Sequence, residues 1–423
     1  MTSAPPPPPH AERPSGPPPG LGMTEFVLMM AGVMSATALS IDPMLPALPQ
    51  IGHDLQVAVA NDRQQIITTF FLGLAAGSLF FGPLSDHFGR RPVLLTAMAT
   101  MLLCTMLCAV APSFPVLLAA RLAAGFFAAA GRVMVVSIVR DQFRGDHMAR
   151  IMSLIMVIFM VVPILAPSYG TLVLMLAPWR WIFWLLAGLL VVELGWLGLR
   201  LPETLRDEAR VRIRPRDLAT TFAHIVTHRS SIGYMLASGI MMSCMVGFLV
   251  SVQQIFFDVF HRPGLLPVGF AAIGLWTAVG SLFNSRLVQR FGARRMSQSA
   301  VIALILLSAA HSLVGGLGLE SVWLFISIQG MMALCFSMGG ANFSSIALEP
   351  FVRGAGLASS IQASLTTLLS SVLGGLIGAR FDGTTVPLSL GFLLYGCATL
   401  LVILWAEKGR LFTRPGLAAR RQG

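Results

Sequence analysis

Apolar runs of about 20 residues recur along most of the chain, beginning near residue 24. Each run can cross a hydrocarbon layer about 30 Å thick, and backbone in lipid must satisfy its own hydrogen bonds, which favours helices. Only 11% of the 423 residues are charged, against about 25% in soluble proteins. The runs lack the residue-by-residue alternation of a membrane β-barrel. The sequence therefore predicts an all-α membrane protein.

Basic residues decide the orientation of the predicted helices. Twelve spans are predicted, at residues 24–45, 65–85, 92–111, 115–137, 149–172, 179–199, 231–256, 267–287, 297–315, 321–345, 355–378 and 386–406. Arginines crowd into alternate connections, while only Arg63, Arg180, Arg262 and Arg380 fall in the others. The positive-inside rule then places the basic connections and both termini in the cytoplasm. The net charge of +11 follows from this asymmetry, so we expect no nucleic-acid partner.

An internal repeat indicates two halves. "LSDHFGRRP" (Leu84–Pro92) follows the second span, and "LVQRFGARR" (Leu287–Arg295) follows the eighth, which is the second span of the latter half. The predicted segments are a disordered Pro-rich tail at 1–22, six-helix bundles at 23–200 and 231–407, a basic linker at 201–230 and a basic tail at 408–423. Paired, pseudo-symmetric six-helix halves with a cavity at their interface are a transporter architecture.

One loop and four further stretches of the sequence resemble motifs of a known family. "GPLSDHFGRRPVL" (Gly82–Leu94) resembles the signature loop of the major facilitator superfamily, with Gly82, Asp86, Gly89, Arg90 and Arg91 at its spacing. "SIDPMLPALPQI", "APSYG", "WRWIFWLLAG" and "LPETL" resemble the Bcr/CflA group of drug:proton antiporters. The resemblance implies a monomeric transporter of the bacterial inner membrane, with a small-molecule substrate and protons as its ligands.

The signature loop has a direct physical reading. Gly82 and Gly89 permit a tight turn and a close approach of helices. Asp86 can bond exposed N–H groups of a neighbouring helix or pair with a basic residue, so we expect it to act as a conformational latch. Arg90 and Arg91 either join that latch or simply hold the loop on the cytoplasmic side.

Charged residues within the spans are the candidate coupling groups. Arg121 and Arg132 are eleven residues apart, which is three helical turns plus about 20°, so they share one face of the fourth span. Such residues usually face a cavity, because a charge in the bilayer centre is costly. "AARLAAG" (Ala119–Gly125) resembles the family's fourth-helix motif, whose arginine is linked to proton transfer, although Ala124 replaces its usual glutamine.

Asp42 is the other predicted coupling residue. By residue count, Asp42 and Arg121 both lie in the outer part of the membrane, so a pair that switches protonation is possible. Pro43 follows Asp42 and predicts a bend or a helix end there. The alternative is a solvated carboxylate at the outer end of the helix. For Arg132, the alternatives to a coupling or substrate role are snorkelling and a structural pair, for which Glu193 is a candidate partner.

The remaining candidates concern the cavity and its shape. The resemblance implies that the first, fourth, seventh and tenth helices line the cavity. This makes the polar residues of the seventh and tenth spans predicted substrate contacts, namely Gln253, Gln254, Gln329 and Asn342. "VVPILAPSYG" resembles the superfamily's antiporter motif and contains Pro163, Pro167 and Gly170. Prolines bend helices, so this segment either shapes the interface where the halves rock or is a static kink.

Enzyme chemistry is not predicted. Lys408 is the only lysine and is not part of a GxxxxGK[ST] phosphate loop, and the five cysteines form no CxxC pair. We expect no cofactor, metal or disulfide. The sequence and the resemblance together predict proton-coupled efflux of small drug-like or amphipathic molecules by alternating access. A proton symporter or metabolite exporter on the same fold is the alternative, followed by a sensor that transports nothing.

Overall fold

The computed structural model describes residues 16–143, 145–205, 210, 220, 222–225, 227–351 and 355–412. At residues 145, 146 and 355 it describes the backbone alone. The predicted tail 1–22, linker 201–230 and tail 408–423 lie partly outside these ranges, and the predicted boundaries of the segments stay a prediction.

Every regular element within the described ranges is helical, and twelve helical segments there are long and apolar enough to cross a membrane. The helices are α1 Met23–Leu39, α2 Gln65–Phe88, α3 Arg90–Ala109, α4 Phe114–Gln142, α5 Gly145–Leu176, α6 Arg180–Arg200, α7 Arg229–Gln254, α8 Leu266–Phe291, α9 Ala293–Gly316, α10 Val322–Leu348, α11 Ala355–Ala379 and α12 Val386–Ala406. This confirms the predicted all-α fold of twelve membrane helices.

The first span is longer and more broken than predicted. Helix α1 ends at Leu39 and is followed by a 3-10 helix at Asp42–Ala47 and a short α-helix at Leu48–Asp54. The cause is the proline spacing. Pro43 disfavours α geometry at Asp42, and Pro46 lacks the N–H that would continue the helical hydrogen bonds. The predicted bend at Asp42 is therefore present.

The two copies of the repeat adopt the same turn. Gly89 lies between α2 and α3 with a φ of 102°, and Gly292 lies between α8 and α9 with a φ of 84°. Glycine is favoured at both because a side chain is strained in this left-handed region. We call the end of the bundle that holds these turns the basic end, and the opposite end, near Asn61, the far end.

Helix packing repeats between the halves. In the first half α2 packs on α4, α1 on α5 and α3 on α6; in the second half α8 packs on α10, α7 on α11 and α9 on α12. The halves meet where α2 packs on α11 and α5 on α8, which are equivalent contacts under the repeat. The architecture is therefore two pseudo-symmetric bundles, and any relative movement of the halves must change these two contacts.

Glycines bring α2 and α4 into direct backbone contact. A Cβ atom added to Gly125 would overlap the Phe70 carbonyl, and one added to Gly73 would overlap the Leu122 carbonyl. Small residues drive such close packing in membranes, because lipid offers no hydrophobic gain for helix association. These glycines hold α4, with Arg121 and Arg132, in a fixed position against α2.

Replacing Gly125 with alanine should therefore destabilise the protein. The added methyl group meets backbone rather than a movable side chain, and overpacking of this kind typically costs about 1–3 kcal/mol. Thermal unfolding of the purified protein in detergent measures the effect. Gly188→Ala in α6 is the matched control, since nothing lies within 4 Å of its added Cβ. Equal unfolding temperatures for the two variants would show that the α2–α4 contact is looser than described.

Candidate functional site

Asp42 is a buried acid at the point where α1 has ended. Its side chain belongs to the first turn of the 3-10 helix, and the residue is only 5% exposed. Within the described part of the chain its carboxyl group has no hydrogen-bond or ion-pair partner. The residue is therefore mostly covered by protein in this conformation, and the choice between a coupling acid and a solvated carboxylate stays a prediction.

Helix α5 covers this segment. A Cβ atom added to Gly170 of α5 would overlap the Pro43 carbonyl, so the helix can pack beside Asp42 only because a glycine stands there. Helix α5 runs without a break from Gly145 to Leu176, through Pro163 and Pro167. Between these prolines, Ile164 lies close to Gly274 of α8 in the other half. The proline segment thus connects the Asp42 region to the interface of the halves.

Arg121 is buried, and no carboxylate of the described residues pairs with it. It is 1% exposed, its Nε donates to the Ile66 carbonyl of α2 at 3.2 Å, and its guanidinium lies 4.3 Å from the centre of the Phe70 ring. Its Nη2 atom has no hydrogen-bond partner among the described residues. A carbonyl and an aromatic face partly compensate the loss of water around the cation. The structure does not bring Asp42 and Arg121 into an ion pair.

Arg132 lies on the same helix in a different environment. Arg132 is exposed, although helical geometry places it on the face of Arg121. Glu193 of α6 is buried, at 6% exposure, and its Oε1 has no hydrogen-bond partner among the described residues. The two residues form no ion pair within the described ranges, so the candidate partnership between them is absent from this conformation.

The signature loop forms a charge cluster around Arg90. This buried guanidinium lies 2.6 Å from the Asp86 carboxylate and 3.0 Å from that of Asp141 at the end of α4, and it also donates to the Ser85 hydroxyl. Of the two contacts considered for Asp86, the pair with a basic residue is the one present here. Arg90 is therefore more than a solvated charge that holds the loop on one side.

Glu203 is a residue that the sequence reasoning missed. Its carboxylate accepts the backbone N–H groups of Arg90 and Arg91 at 3.0 and 3.2 Å, which are exposed donors at the start of α3. Arg91 in turn donates to the Gly198 carbonyl of α6. The available signal was an acid in a basic loop, "LPETL", which is the type of residue that stabilises a helix N-terminus.

The second half builds a similar cluster from other residues. Arg294, at the start of α9, lies 2.8 Å from the Glu407 carboxylate and 3.2 Å from that of Glu349. These acids follow the ends of α12 and α10. A cation at the basic end thus ties three helices together in each half, even though Gln289 stands at the position of Asp86.

The four polar candidates of α7 and α10 divide into two classes. Gln254 donates to the Asn61 side chain at 2.8 Å and accepts from Gln64 at 3.2 Å, and Asn342 donates to Asn284 at 2.7 Å. Gln253 is fully buried, and neither of its polar side-chain atoms has a partner in the described chain. Gln329 is also buried, and its Nε2 has no partner in the part of the chain that the structure describes. Gln253 and Gln329 are therefore the two candidates whose side chains keep a buried polar atom without a partner among the described residues.

Polar contacts join the halves along much of the contact between α2 and α11. At the far end Asn61 donates to the Phe381 carbonyl at 2.9 Å. Further along this contact, which we call the α2–α11 seam, Ser371 donates to the Thr68 carbonyl at 3.0 Å. Nearer the basic end, Ser364 donates to the Ala75 carbonyl at 2.8 Å. Gly82 of the signature loop meets α11 at Ser360, whose Oγ lies 2.8 Å from an added Cβ. Both ends of this seam are closed.

The chain is similar to known membrane transporters. A family model described as Major Facilitator Superfamily matches residues 28–353. YdgK, an uncharacterised MFS-type transporter of Bacillus subtilis, is 32% identical, with 86% of this chain and 90% of that protein covered. A bicyclomycin resistance protein homolog of Haemophilus influenzae is 27% identical over 90% of this chain and 95% of its own length, which supports the resemblance to the Bcr/CflA group.

A solved structure shares the fold. The crystal structure of a D-xylose–proton symporter superposes with a TM-score of 0.68 at 13% identity and covers 91% of this chain and 99% of that one. This likeness concerns the fold. The family match and this fold together show that the chain belongs to the Major Facilitator Superfamily, whose members are membrane transporters.

Proposed function

We propose that the protein is a proton-coupled antiporter of a bacterial inner membrane, which exports small drug-like or amphipathic molecules by alternating access. The similarity to a bicyclomycin resistance protein homolog supports export of a drug-like molecule. The excess of arginine at the basic end supports a cytoplasmic location for that end and for both termini. The far end would then face the outside of the cell.

The buried, unpartnered carboxyl group of Asp42 is the observation that carries this proposal. An ionised carboxylate without a partner is costly in an apolar interior, so the closed conformation suits the neutral, protonated acid. When the halves separate at the far end, water reaches this segment and the group can exchange a proton with the outside. Protonation of Asp42 and closure of the far end are therefore linked equilibria.

Arg121 supplies a fixed positive charge in the same half. Its attachment to the Ile66 carbonyl and the Phe70 ring holds the cation in place, and its Nη2, which has no partner among the described residues, can donate to a new acceptor. A cation near a carboxylate favours its ionised form. We infer that Arg121 assists release of the proton from Asp42 when a conformational change brings the two groups closer.

The substrate site we propose lies between α7 and α10. Gln253 and Gln329 each offer buried amide atoms without a partner, and helix α7 packs on α10. Apolar surroundings with a few unsatisfied hydrogen-bonding groups are typical of pockets for small molecules. This composition favours an uncharged or amphipathic ligand that exchanges hydrogen bonds with amides.

Replacing Asp42 with asparagine should abolish proton-driven transport, because the amide keeps the shape of the acid but cannot carry a proton. In inside-out vesicles with an acid interior, the wild-type protein should accumulate ethidium. Asp42→Asn should lower the initial rate at least tenfold, which corresponds to about 1.4 kcal/mol or more.

Asp62→Asn is the matched control. Asp62 lies near the same end of the bundle, but its carboxylate already accepts a hydrogen bond from Gln65 at 3.0 Å. This variant should transport ethidium at the wild-type rate. Full gradient-driven accumulation by Asp42→Asn would contradict the assignment of Asp42 as the coupling acid. Loss of a pre-formed ethidium gradient on acidification of the interior would indicate symport instead.

Cross-links at the two ends of the α2–α11 seam should test alternating access. A Cβ atom on Gly378 lies 3.8 Å from Gln64 Cβ, and one on Gly82 lies 3.9 Å from Ser360 Cβ. Both distances suit a disulfide, whose Cβ atoms are about 3.5–4.5 Å apart. The pairs Gln64→Cys with Gly378→Cys and Gly82→Cys with Ser360→Cys are made after the five native cysteines are changed to serine.

Each oxidised pair should stop ethidium transport, and reduction should restore it, because opening at either end must separate α2 from α11 there. The single cysteine variants serve as controls for the effect of each substitution. Complete cross-linking that leaves transport unchanged at one end would show that this end stays closed throughout the cycle, which is incompatible with alternating access.

A further inference from the structure

Glu193 is a second buried acid in the N-terminal half, and the mechanism above does not use it. It lies on α6 where that helix packs against α1, and its Oε1 has no hydrogen-bond partner in the described residues. A Cβ atom added to Gly32 of α1 would lie 2.7 Å from this oxygen. The glycine thus makes the space on α1 that the carboxyl group fills.

The same seam between α1 and α6 contains an acid that is paired. Glu25, seven residues before Gly32 on α1, accepts from Arg200 at 2.8 Å and from the Trp196 indole at 3.2 Å. Arg200, the cation that could pair with an acid between α1 and α6, therefore already pairs with Glu25 at the basic end. Glu193 is two helical turns away from Arg200 along α6 and is left without a cation.

The other helices around α6 do not supply a partner either. The titratable or charged groups of α1, α3, α4 and α5 in the described chain, apart from Glu25 and Asp42, are Arg90, Arg91, Cys104, Cys108, Arg121, Arg132, Arg140, Asp141, His147, Arg150 and Tyr169. Arg91 reaches α6, but its Nη2 donates to the Gly198 carbonyl. None of these groups forms a hydrogen bond or an ion pair with Glu193 in the described residues.

We propose that Glu193 is a second proton-binding site, separate from Asp42, which exchanges its proton with the cytoplasm during the transport cycle. This inference rests on the proposed function. A buried carboxylate without a cation is costly, so the group binds a proton in the closed conformation and loses it only when water or a cation reaches it. The step forms and breaks one O–H bond of the carboxyl group, and the proton comes from or goes to water.

The positions of Asp42 and Glu193 suit a relay when their depths are compared along the first span. Gly32 lies against the Glu193 carboxyl group and therefore gives the depth of that group in the bundle. It is ten residues from Asp42, or about 15 Å along a helix. Asp42 lies toward the far end and Glu193 toward the basic end. Between these levels, Ser35 of α1 is buried, and its hydroxyl oxygen also has no partner in the described residues. Under the proposed orientation, one acid serves the outer and the other the cytoplasmic side.

Infrared spectroscopy of the full chain in lipid vesicles tests proton binding without any substrate. During a pH titration the wild-type protein should show a protonated-carboxyl band of Glu193 in addition to that of Asp42, and Glu193→Gln should remove only the former. Glu25→Gln is the matched control, because that acid is ion-paired in the same seam, and it should leave the band unchanged. An identical titration for wild type and Glu193→Gln would overturn the proposal.

Gly32→Ala gives an independent reading if Glu193→Gln does not fold. The new methyl group must displace the Glu193 carboxyl, so the same band should shift in position, while the control Gly188→Ala should not shift it. A band that is unmoved by Gly32→Ala would also contradict the assignment.

Ethidium transport tests the role in coupling. Glu193→Gln should reduce the number of protons moved per ethidium and flatten the pH profile of transport, and Glu193→Asp should restore both. If the band is lost but the proton count is unchanged, Glu193 is not part of the cycle. If the wild-type protein moves no ethidium, the proposed efflux function fails for this probe, and the infrared result still decides whether Glu193 binds a proton.

Discussion

Burying a charge in an apolar interior without a partner costs several kcal/mol, and the arrangement of polar groups in this bundle follows from that cost. At the basic end this free-energy cost is offset by charge clusters, in which Arg90 and Arg294 each contact two carboxylates. Asp42 and Glu193 are also buried, but no cation of the described residues offsets the cost of burying their carboxyl groups. The paired charges of the clusters hold the fold together, whereas Asp42 and Glu193 are the groups for which we propose a change of protonation.

In the proposed mechanism, the seam between α2 and α11 couples protonation of Asp42 to a movement of whole helices. Its polar contacts run from Asn61 to Ser364, and many of them are made by small side chains to backbone carbonyls. Such contacts are modest individually, so the seam can separate at one end while it persists at the other. The equivalent contact, α5 on α8, links this movement to Asp42 through the packing of Gly170 on Pro43.

Much of the fold could be predicted because its signals are local. Apolar runs, prolines and the repeated Phe-Gly-x-Arg turn determine helices through chain geometry alone. Gly89 adopts the predicted tight turn, and Gly292 in the second copy of the repeat adopts the same one. Contacts between distant segments could not be predicted in this way. The position of Arg121 against the Ile66 carbonyl, and the burial of Asp42 by α5, depend on which helices become neighbours. Residue counting placed Asp42 toward the outer end of the first span, which stays a prediction, and it left the exposure of the side chain open.

The central claim is that protonation of Asp42 controls closure of the far end. Spin labels at Val59 and Arg262, which are exposed on opposite halves, report the separation of the halves there by electron–electron distance measurement. In a background without native cysteines, the distance should lengthen as the pH is raised, because an ionised Asp42 requires water. Asp42→Asn should hold the short distance at every pH. A distance that does not change with pH in the parent protein, or that changes equally in Asp42→Asn, would contradict the account.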